Sequence, residues 1–235
     1  MAAQDLIVRP MAPSISASAI AQLAEVETAT VGHFRLQGFM DVRIQPNQRR
    51  RRIAGTAVTV QTRGIDPTAI LLALDAIRPG DLLVIDRCGE ARHAALGAVM
   101  SAALAQAGAV GIVLDGRACD LGDIEAQGMP LWCQGASPVL GRRPGAGGAV
   151  NMPISCGGVT VCPGDAVLAD DSGVLVLPPE DIESVVREGL ERQAREVQVL
   201  ARMAAGERLT EIAGMPRFAD HCTSPTHTTD LTGSS

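Results

Sequence analysis

Acidic side chains stand at the ends of apolar runs in the middle of the chain. Asp86 ends one run, Asp115 ends the next, and Asp120 follows five residues later. Between the two runs, Gly97 precedes an alanine-rich segment. In open α/β sheets, strand ends and helix starts converge on a crevice, where a carboxylate beside backbone N–H groups can hold a hard divalent cation and an anionic ligand. The pattern therefore predicts metal-assisted chemistry on a small anion.

The elements that would position these residues alternate between strands and helices. Apolar or β-branched runs at 55–62, 82–86 and 110–115 predict strands, and the segments 66–76 and 94–107 between them predict helices. This alternation implies a layered α/β core with parallel strand pairing in this half. Further predicted elements are helical segments over 15–31 and 121–127 and a strand over 130–133.

The carboxyl-terminal half is richer in short strands. A Gly- and Pro-rich connection over 135–150 precedes short strands around 152–156, 158–162 and 173–177. Short strands separated by glycine turns are typical of a small barrel or sandwich. An acidic first turn, which suits the helix dipole, then begins a long helix that extends from about 178 to 205.

Composition argues against a nucleic-acid partner. The 235 residues carry a formal net charge of −6 and only 2% aromatic side chains, with no Tyr. An acidic chain is a poor ligand for a phosphate backbone, and base stacking requires aromatic rings. The basic run Arg49–Arg52 is interpreted as a solvated loop because no aromatic residue flanks it.

Cysteine usage and hydropathy predict a cytoplasmic protein without a membrane partner. None of the six cysteines has the C-x-x-C spacing typical of a structural zinc site, so they are interpreted as reduced thiols. No uncharged run of 18 apolar residues occurs, and the first residues lack the basic and apolar regions of a signal peptide.

Several glycine-containing segments, taken in order, resemble the RraA-like family. They are Gly55–Val60, Pro79–Asp86, Ala95–Gly97, Gly111–Gly116 with Asp120, Asn151–Ile154, Gly157–Asp165 and Asp170–Pro178. The family includes metal-dependent class II pyruvate aldolases that act on 4-hydroxy-4-methyl-2-oxoglutarate, and regulators of RNase E activity. Each glycine turn is a weak signal, but their order together is specific, and the resemblance covers roughly residues 16–213.

The resemblance implies a fold and an assembly. The expected fold is a layered β/β/α swivelling domain with a β-rich carboxyl-terminal half and a long carboxyl-terminal helix. A single domain would cover residues 15–213, with flexible termini at 1–14 and 214–235. Family members assemble as homotrimers or as hexamers, which are dimers of trimers, with active sites near subunit interfaces.

The resemblance also implies roles for individual residues. Asp120 matches the one direct protein ligand of Mg2+ or Mn2+ and is the expected catalytic residue. The segment Gly97, Ala98, Val99 and Met100 matches the loop whose backbone amides hold the carboxylate and keto oxygens of a pyruvyl group. Two positions depart from the family pattern: Ala98 replaces the acidic residue proposed as the base, and Cys119 replaces the substrate-binding arginine.

These two departures affect the expected rate. Loss of a preorganised cation at a developing oxyanion typically costs ~100- to 1,000-fold, and loss of a general base costs roughly as much. Arg117 lies two residues before the arginine position and is the first candidate to replace that cation. Arg87, Arg92 and His93 precede Gly97 and could supply a cation or a base. Cys119 itself is either a nucleophile or a small neutral filler.

The resulting hypothesis is a metal-dependent lyase that acts on a small 2-oxo dicarboxylic acid. Aldol cleavage needs an electron sink and a base, whereas decarboxylation of oxaloacetate needs only the sink, which a metal chelated by the 2-oxo acid supplies. Decarboxylation should therefore survive the loss at Ala98 better. The alternatives are a non-catalytic binding or regulatory oligomer, favoured by Ala98 and Cys119, and altered chemistry on the same scaffold.

Overall fold

The computed structural model describes residues 6–142 and 145–216. The chain divides into two compact units between Leu190 and Glu191. The strands are β1 (Leu6–Val8), β2 (Gln45–Pro46), β3 (Ile53–Thr62), β4 (Asp81–Asp86), β5 (Gly111–Asp115), β6 (Leu131–Cys133), β7 (Gly148–Val150), β8 (Ile154–Cys156), β9 (Val159–Val161), β10 (Ala166–Asp170) and β11 (Gly173–Leu177). The α-helices are α1 (Ala17–Ala24), α2 (Thr28–Val31), α3 (Thr68–Ala73), α4 (Ala98–Ala107), α5 (Leu121–Ala126), α6 (Ile182–Ala204) and α7 (Leu209–Ile212).

The central strands form the parallel sheet that the sequence predicts. Strands β3, β4, β5 and β6 pair in parallel in this order, and the helices α3, α4 and α5 connect them. Both faces of these strands are buried, as continuous apolar runs require. The register places Asp86 opposite Asp115, so both carboxylates lie at the same end of the sheet.

The β-rich half does not form a separate barrel or sandwich, and that prediction is wrong. Strand β3 has ten residues, and its two halves pair with different neighbours on one side. Its first residues pair antiparallel with β10, and its last residues pair antiparallel with β7. Strand β11 pairs with β10, so these strands extend the same sheet. Among the described strands, only β8 and β9 form a second, two-stranded sheet.

Two strands lie outside the segments that the sequence predicted as strands. Strand β7 belongs to the Gly- and Pro-rich connection 135–150, and β10 lies between the predicted strands at 158–162 and 173–177. Both strands are fully buried because long β3 offers each of them a partner edge. Tertiary pairing has thus overridden weak local signals here.

Apolar side chains fill both faces of the sheet. One cluster, which includes Val58, Leu83 and Ile112, packs against α3, α4 and α5. The opposite cluster, which includes Val84 and Trp132, packs against the β8–β9 hairpin. The sheet is thereby covered on both faces, which leaves its strand ends and loops for chemistry.

The amino-terminal segment contributes one strand to the sheet. Within the stretch predicted as flexible, residues 6–8 pair in parallel with β7. The side chain of Asn151 donates a hydrogen bond to the carbonyl of Arg9, which holds the chain beyond β1. The tail predicted as flexible beyond residue 216 lies outside the described residues. In the part of the chain that the structure describes, no helix has the length and apolarity to cross a membrane.

Candidate functional site

The site forms where the turn after β5 meets the start of α4. Asp120 adopts a left-handed backbone conformation with φ of 53°, at the N-cap of α5. Its side chain makes no capping hydrogen bond, so the carboxylate is not used to begin the helix. Left-handed residues other than glycine cost about 1–3 kcal/mol and concentrate at functional sites. The exposed Asp120 carboxylate is thus held in a strained turn beside the start of α4.

Gly97 leaves the space into which two side chains fit. A Cβ atom at this position would overlap Cys119 Sγ and would lie 2.5 Å from Asp120 Oδ2. The φ of Gly97 is −144°, so the requirement for glycine comes from space and not from backbone conformation. Asp120 Oδ2 accepts a hydrogen bond from the Ala98 amide at 3.3 Å. The structure therefore brings together Gly97, Ala98, Cys119 and Asp120, as the sequence predicts.

The first turn of α4 presents backbone amides and not polar side chains. Intrahelical hydrogen bonding begins where the Ser101 amide donates to the Gly97 carbonyl, so the amides of Val99 and Met100 have no acceptor in their own helix. Val99 is 87% exposed, whereas Met100 packs against the core. The predicted role of these residues thus depends on their amides and on the positive end of the helix dipole.

A shallow cleft of about 390 Å³ lies beside this turn. Its lining residues are Ala98, Val99, Ala102, Ala103, Gln106 and Gln127. The cleft is mainly apolar and begins at Ala98, where the family's acidic side chain is absent. Its lining follows one side of α4 and does not include Gly97, Cys119 or Asp120, so this cleft is distinct from the space beside the carboxylate.

Cys119 is half-buried and points at the carboxylate. Its Sγ lies 3.2 Å from Asp120 Oδ2 and 3.6 Å from the Leu96 carbonyl oxygen. Burial, followed by the hydrogen bond to Asp120 and its negative charge, raises the pKa of the Cys119 thiol to about 11. The thiol is therefore protonated near neutral pH, which disfavours its interpretation as a nucleophile.

Arg117 is held by backbone carbonyls. Its Nε donates to Ala91 O at 2.8 Å, and its Nη1 donates to Ala136 O at 3.2 Å. Among the hydrogen bonds of the described residues, none joins Arg117 to Asp120 or Cys119. Substrate binding by Arg117 therefore stays a prediction, because this geometry brings the guanidinium to the loops and not to the carboxylate.

Glu90 organises the loop that leads to Gly97. Its carboxylate pairs with Arg87, whose side chain is fully buried, and lies 3.0 Å from His93 Nδ1. Burial opposes ionisation of Glu90, but hydrogen bonds from His93, Arg92 and Arg87 outweigh it and lower the Glu90 pKa to about 2. Arg87 and His93, candidates for a replacement cation or base, are thus engaged by an acid that the sequence analysis did not single out.

The carboxylates at the strand ends have structural partners. Asp86 accepts hydrogen bonds from Gln61 and from the Cys88 amide, and Asp115 accepts from Gln134 and from the Gly157 amide. Within the described residues, no group of three or more His, Cys, Asp or Glu side chains is arranged to hold a metal ion. A metal at Asp120 would therefore have at most two such side chains of the described residues as ligands, and its other ligands would come from elsewhere.

Comparison with known proteins identifies the family to which the chain belongs. The family model described as RraA-like, Aldolase/RraA, matches residues 21–176, and the chain belongs to this family. A Halalkalibacterium halodurans protein named "Putative 4-hydroxy-4-methyl-2-oxoglutarate aldolase" is 34% identical over 151 residues, which cover 64% of this chain and 71% of the relative.

Solved structures agree with this assignment. Streptomyces coelicolor RraAS2, described as an unusual member of the RNase ES inhibitor RraA protein family, superposes with a TM-score of 0.71 and 27% identity, over 83% of this chain and all of that one. The RNA-processing inhibitor RraA from Thermus thermophilus gives a TM-score of 0.58 and 27% identity, over 65% of this chain and 92% of that one. The predicted family and fold class are thereby confirmed.

Proposed function

We propose that this protein is a metal-dependent lyase that releases pyruvate from a small 2-oxo dicarboxylic acid. One observation carries the proposal: the Asp120 carboxylate, unused by its own helix, accepts a hydrogen bond from the Ala98 amide at the start of α4, next to the amides of Val99 and Met100. A cation site next to an anion site suits a substrate that carries both a keto oxygen and carboxylates.

The residues present fit a divalent cation with few protein ligands. Asp120 is exposed and supplies one carboxylate oxygen, and Gly97, which has no side chain, lets this carboxylate pack against the start of α4. Such a site suits Mg2+ or Mn2+ completed by water and by substrate oxygens. When bound, the metal supplies an electron sink for the carbanion that carbon–carbon cleavage produces.

The chain's own groups bind and orient the substrate. The amides of Val99 and Met100 donate to a carboxylate, and the α4 dipole favours negative charge at the same place. Ala98 presents a methyl group and Cys119 a protonated thiol, so neither takes the proton of a tertiary hydroxyl. We therefore expect oxaloacetate decarboxylation to exceed aldol cleavage, because carbon dioxide leaves without proton transfer to a base.

A non-catalytic role is the second candidate. It is favoured by the absence of a charged group at Ala98 and Cys119. One solved relative is described as an RNA-processing inhibitor, and another as an unusual member of the RNase ES inhibitor RraA protein family. In this case the pocket binds an anion without cleaving it. Assembly as a homotrimer or hexamer and a cytoplasmic location stay predictions under either function.

The deciding experiment measures pyruvate release from two substrates. Purified protein is incubated with oxaloacetate or with 4-hydroxy-4-methyl-2-oxoglutarate, in Mn2+ or in excess chelator. The variant Asp120→Ala tests the site, and Asp123→Ala, an exposed acid in the first turn of α5, is the matched control.

We expect metal-dependent release that Asp120→Ala abolishes and Asp123→Ala retains, with oxaloacetate as the faster substrate. Because free Mn2+ also decarboxylates oxaloacetate slowly, the Asp120→Ala rate defines the background. Equal release by wild type and Asp120→Ala from both substrates would contradict the lyase proposal and favour the binding protein.

A further inference from the structure

We propose that helix α6 packs antiparallel against the α6 of a second copy of this chain. The contact surface is an apolar stripe on α6, formed by Leu190, Val197, Leu200 and Met203. The contact is independent of the proposed lyase activity, since the stripe lies on a different element from Gly97 and Asp120.

The stripe is exposed in the part of the chain that the structure describes. Leu190 is 39% exposed, Val197 66%, Leu200 56% and Met203 41%. A single exposed apolar side chain is ordinary on a protein surface, but four on one face of a helix form a patch. Such a patch is typical of a surface that contacts another protein.

The stripe continues the face by which α6 begins in the core. Ile182 and Val185 are buried in the first turn of the helix. Leu200 and Met203 follow them at a distance of 18 residues, which is about five turns of 3.6 residues. Both pairs therefore point in the same direction from the helix axis, yet the first pair is buried and the second is exposed. A helix face that is apolar along its whole length needs a further partner for its exposed part.

The chain's own carboxyl-terminal tail is a poor partner for the stripe. Residues 217–235 are mainly small or polar, and their large apolar side chains are Phe218 and Leu231. Two such side chains do not cover a stripe that extends over about 20 Å of helix. Helix α7, which the structure describes, also leaves the stripe exposed. A second α6 offers a surface of the same length and apolar pattern.

Family membership does not specify this surface. The family model matches residues 21–176, whereas α6 begins at Ile182. The stripe therefore lies outside the sequence that the family shares, and the contact is distinct from the assembly that the resemblance implies.

Charge along α6 favours the antiparallel orientation. Residues 182–191 carry three acids and one arginine, and residues 192–204 carry three arginines and one acid. In chain order, the charged residues are Glu183, Arg187, Glu188, Glu191, Arg192, Arg195, Glu196 and Arg202. An antiparallel pair places the acidic half of one helix beside the basic half of the other and opposes the two helix dipoles, whereas a parallel pair aligns like charges.

The first experiment measures the mass of the full chain by light scattering after size-exclusion chromatography, over a range of concentrations. The double variant Val197→Glu and Leu200→Glu places two charges in the stripe. Its matched control, Arg195→Gln and Gln198→Glu, makes the same change of net charge on the opposite face of α6. We expect wild type and control to have twice the mass of the stripe variant, whether single chains or trimers pair. Circular dichroism shows whether each variant keeps its helices.

Hydrogen exchange of the unmodified chain provides a readout that does not depend on folding of the variants. Amides of residues 190–204 should exchange at least about tenfold more slowly at concentrations above the mass transition than below it. Exchange that is independent of concentration, and that becomes faster in the variant Phe218→Ser and Leu231→Ser, would instead assign the stripe to the chain's own tail.

Disulfide formation between copies tests the orientation. Val197 lies in the middle of the stripe, so an antiparallel pair places it near its own counterpart and separates the two copies of Leu190 by about 20 Å. Under mild oxidation, Val197→Cys should therefore form a disulfide between copies, mapped by mass spectrometry, and Leu190→Cys should not. A disulfide in both variants would show parallel pairing and overturn the orientation. Equal masses of wild type and the stripe variant at all concentrations would overturn the contact itself.

Discussion

Ionisation of Glu90 stabilises the loop before Gly97. Its pKa is about 2 in the folded chain, against 4.5 for the free side chain, because His93, Arg92 and Arg87 all donate to it. A depressed folded-state pKa contributes stability above pH 4.5, and this contribution is lost as pH falls toward 2. The shift corresponds to roughly 3 kcal/mol at neutral pH as an upper estimate, since the carboxylate is 17% exposed.

Replacement of Glu90 by Gln should therefore destabilise the protein in a pH-dependent way. Denaturant unfolding at pH 7 should show a loss of about 2–3 kcal/mol, because Gln keeps the size but not the charge next to buried Arg87. The difference from wild type should shrink toward zero as pH falls from 4.5 to 2. Glu125→Gln, at an exposed position, is the control. A difference in unfolding free energy between Glu90→Gln and wild type that stays constant with pH would contradict this role for the Glu90 charge.

The sequence located the site residues better than it described their surroundings. Gly97 and Asp120 were found because they stand in a specific order of glycine turns, and the structure places them in contact. The partner of His93 was missed because Glu90 has no motif of its own, and the pairing depends on how the loop folds. The orientation of the Arg117 side chain likewise depends on the carbonyls of Ala91 and Ala136, which are distant from it in sequence.

At the scale of elements, strong apolar runs were predicted and partner-dependent strands were not. Strands β3, β4 and β5 are continuous hydrophobic or β-branched segments, which determine their own conformation. Strand β7 is only Gly-Ala-Val, and β10 is Ala-Val-Leu-Ala-Asp. Neither sequence shows the alternation of apolar and polar residues that predicts a strand. These strands form because β3 is long enough to pair with both of them.

Helix starts show the same dependence on context. The alanine-rich segment suggested a helix from residue 94, but α4 begins at Ala98. The amides of Ala94 and Ala95 instead donate to the carbonyls of Val139 and Arg117, which ties the loop to neighbouring segments. This later start places the free amides of the first turn next to Asp120, a position that helix propensity does not specify.

Asp170 shows how one side chain joins three elements. Its side chain accepts a hydrogen bond from the Ser172 amide in the turn between β10 and β11. Its carboxylate also accepts from the amide and hydroxyl of Thr28 at the start of α2, and its carbonyl accepts from the indole of Trp132. This buried carboxylate therefore connects α2 to the end of β10, a strand that pairs with a neighbour on each side.

Removal of this carboxylate should destabilise the fold without affecting the site. We expect Asp170→Ala to lower the free energy of unfolding by about 2–4 kcal/mol, because three hydrogen bonds to a charged acceptor are lost and two buried Thr28 donors are left unpaired. Asp75→Ala, at an exposed position, serves as the control. Equal stability of the two variants would refute this role for Asp170.

At the scale of the whole molecule, the family fold is kept while two positions of the site have changed. The residues that make the core lie in strands and buried helix faces, whereas Ala98 and Cys119 are only half-buried. Substitution at such positions changes chemistry with little effect on folding, which is how one scaffold accommodates several activities. The likeness of the fold to its relatives therefore does not determine the reaction.

Restoring both family side chains tests whether the scaffold still supports aldol cleavage. The double variant Ala98→Glu and Cys119→Arg places an acid in the first turn of α4, where the helix dipole favours it, and a cation beside Asp120. We expect cleavage of 4-hydroxy-4-methyl-2-oxoglutarate to increase at least about 100-fold over wild type in Mn2+.

The controls for this variant separate chemistry from folding. Asp120→Ala in the double-variant background should abolish the gained activity, and each single substitution should recover only part of it, since base and cation act on the same step. Thermal unfolding and Mn2+ binding show whether the fold and the metal position persist. If both persist and cleavage does not increase, the pocket lacks the geometry of a lyase, and the chain is a binding protein built on an aldolase fold.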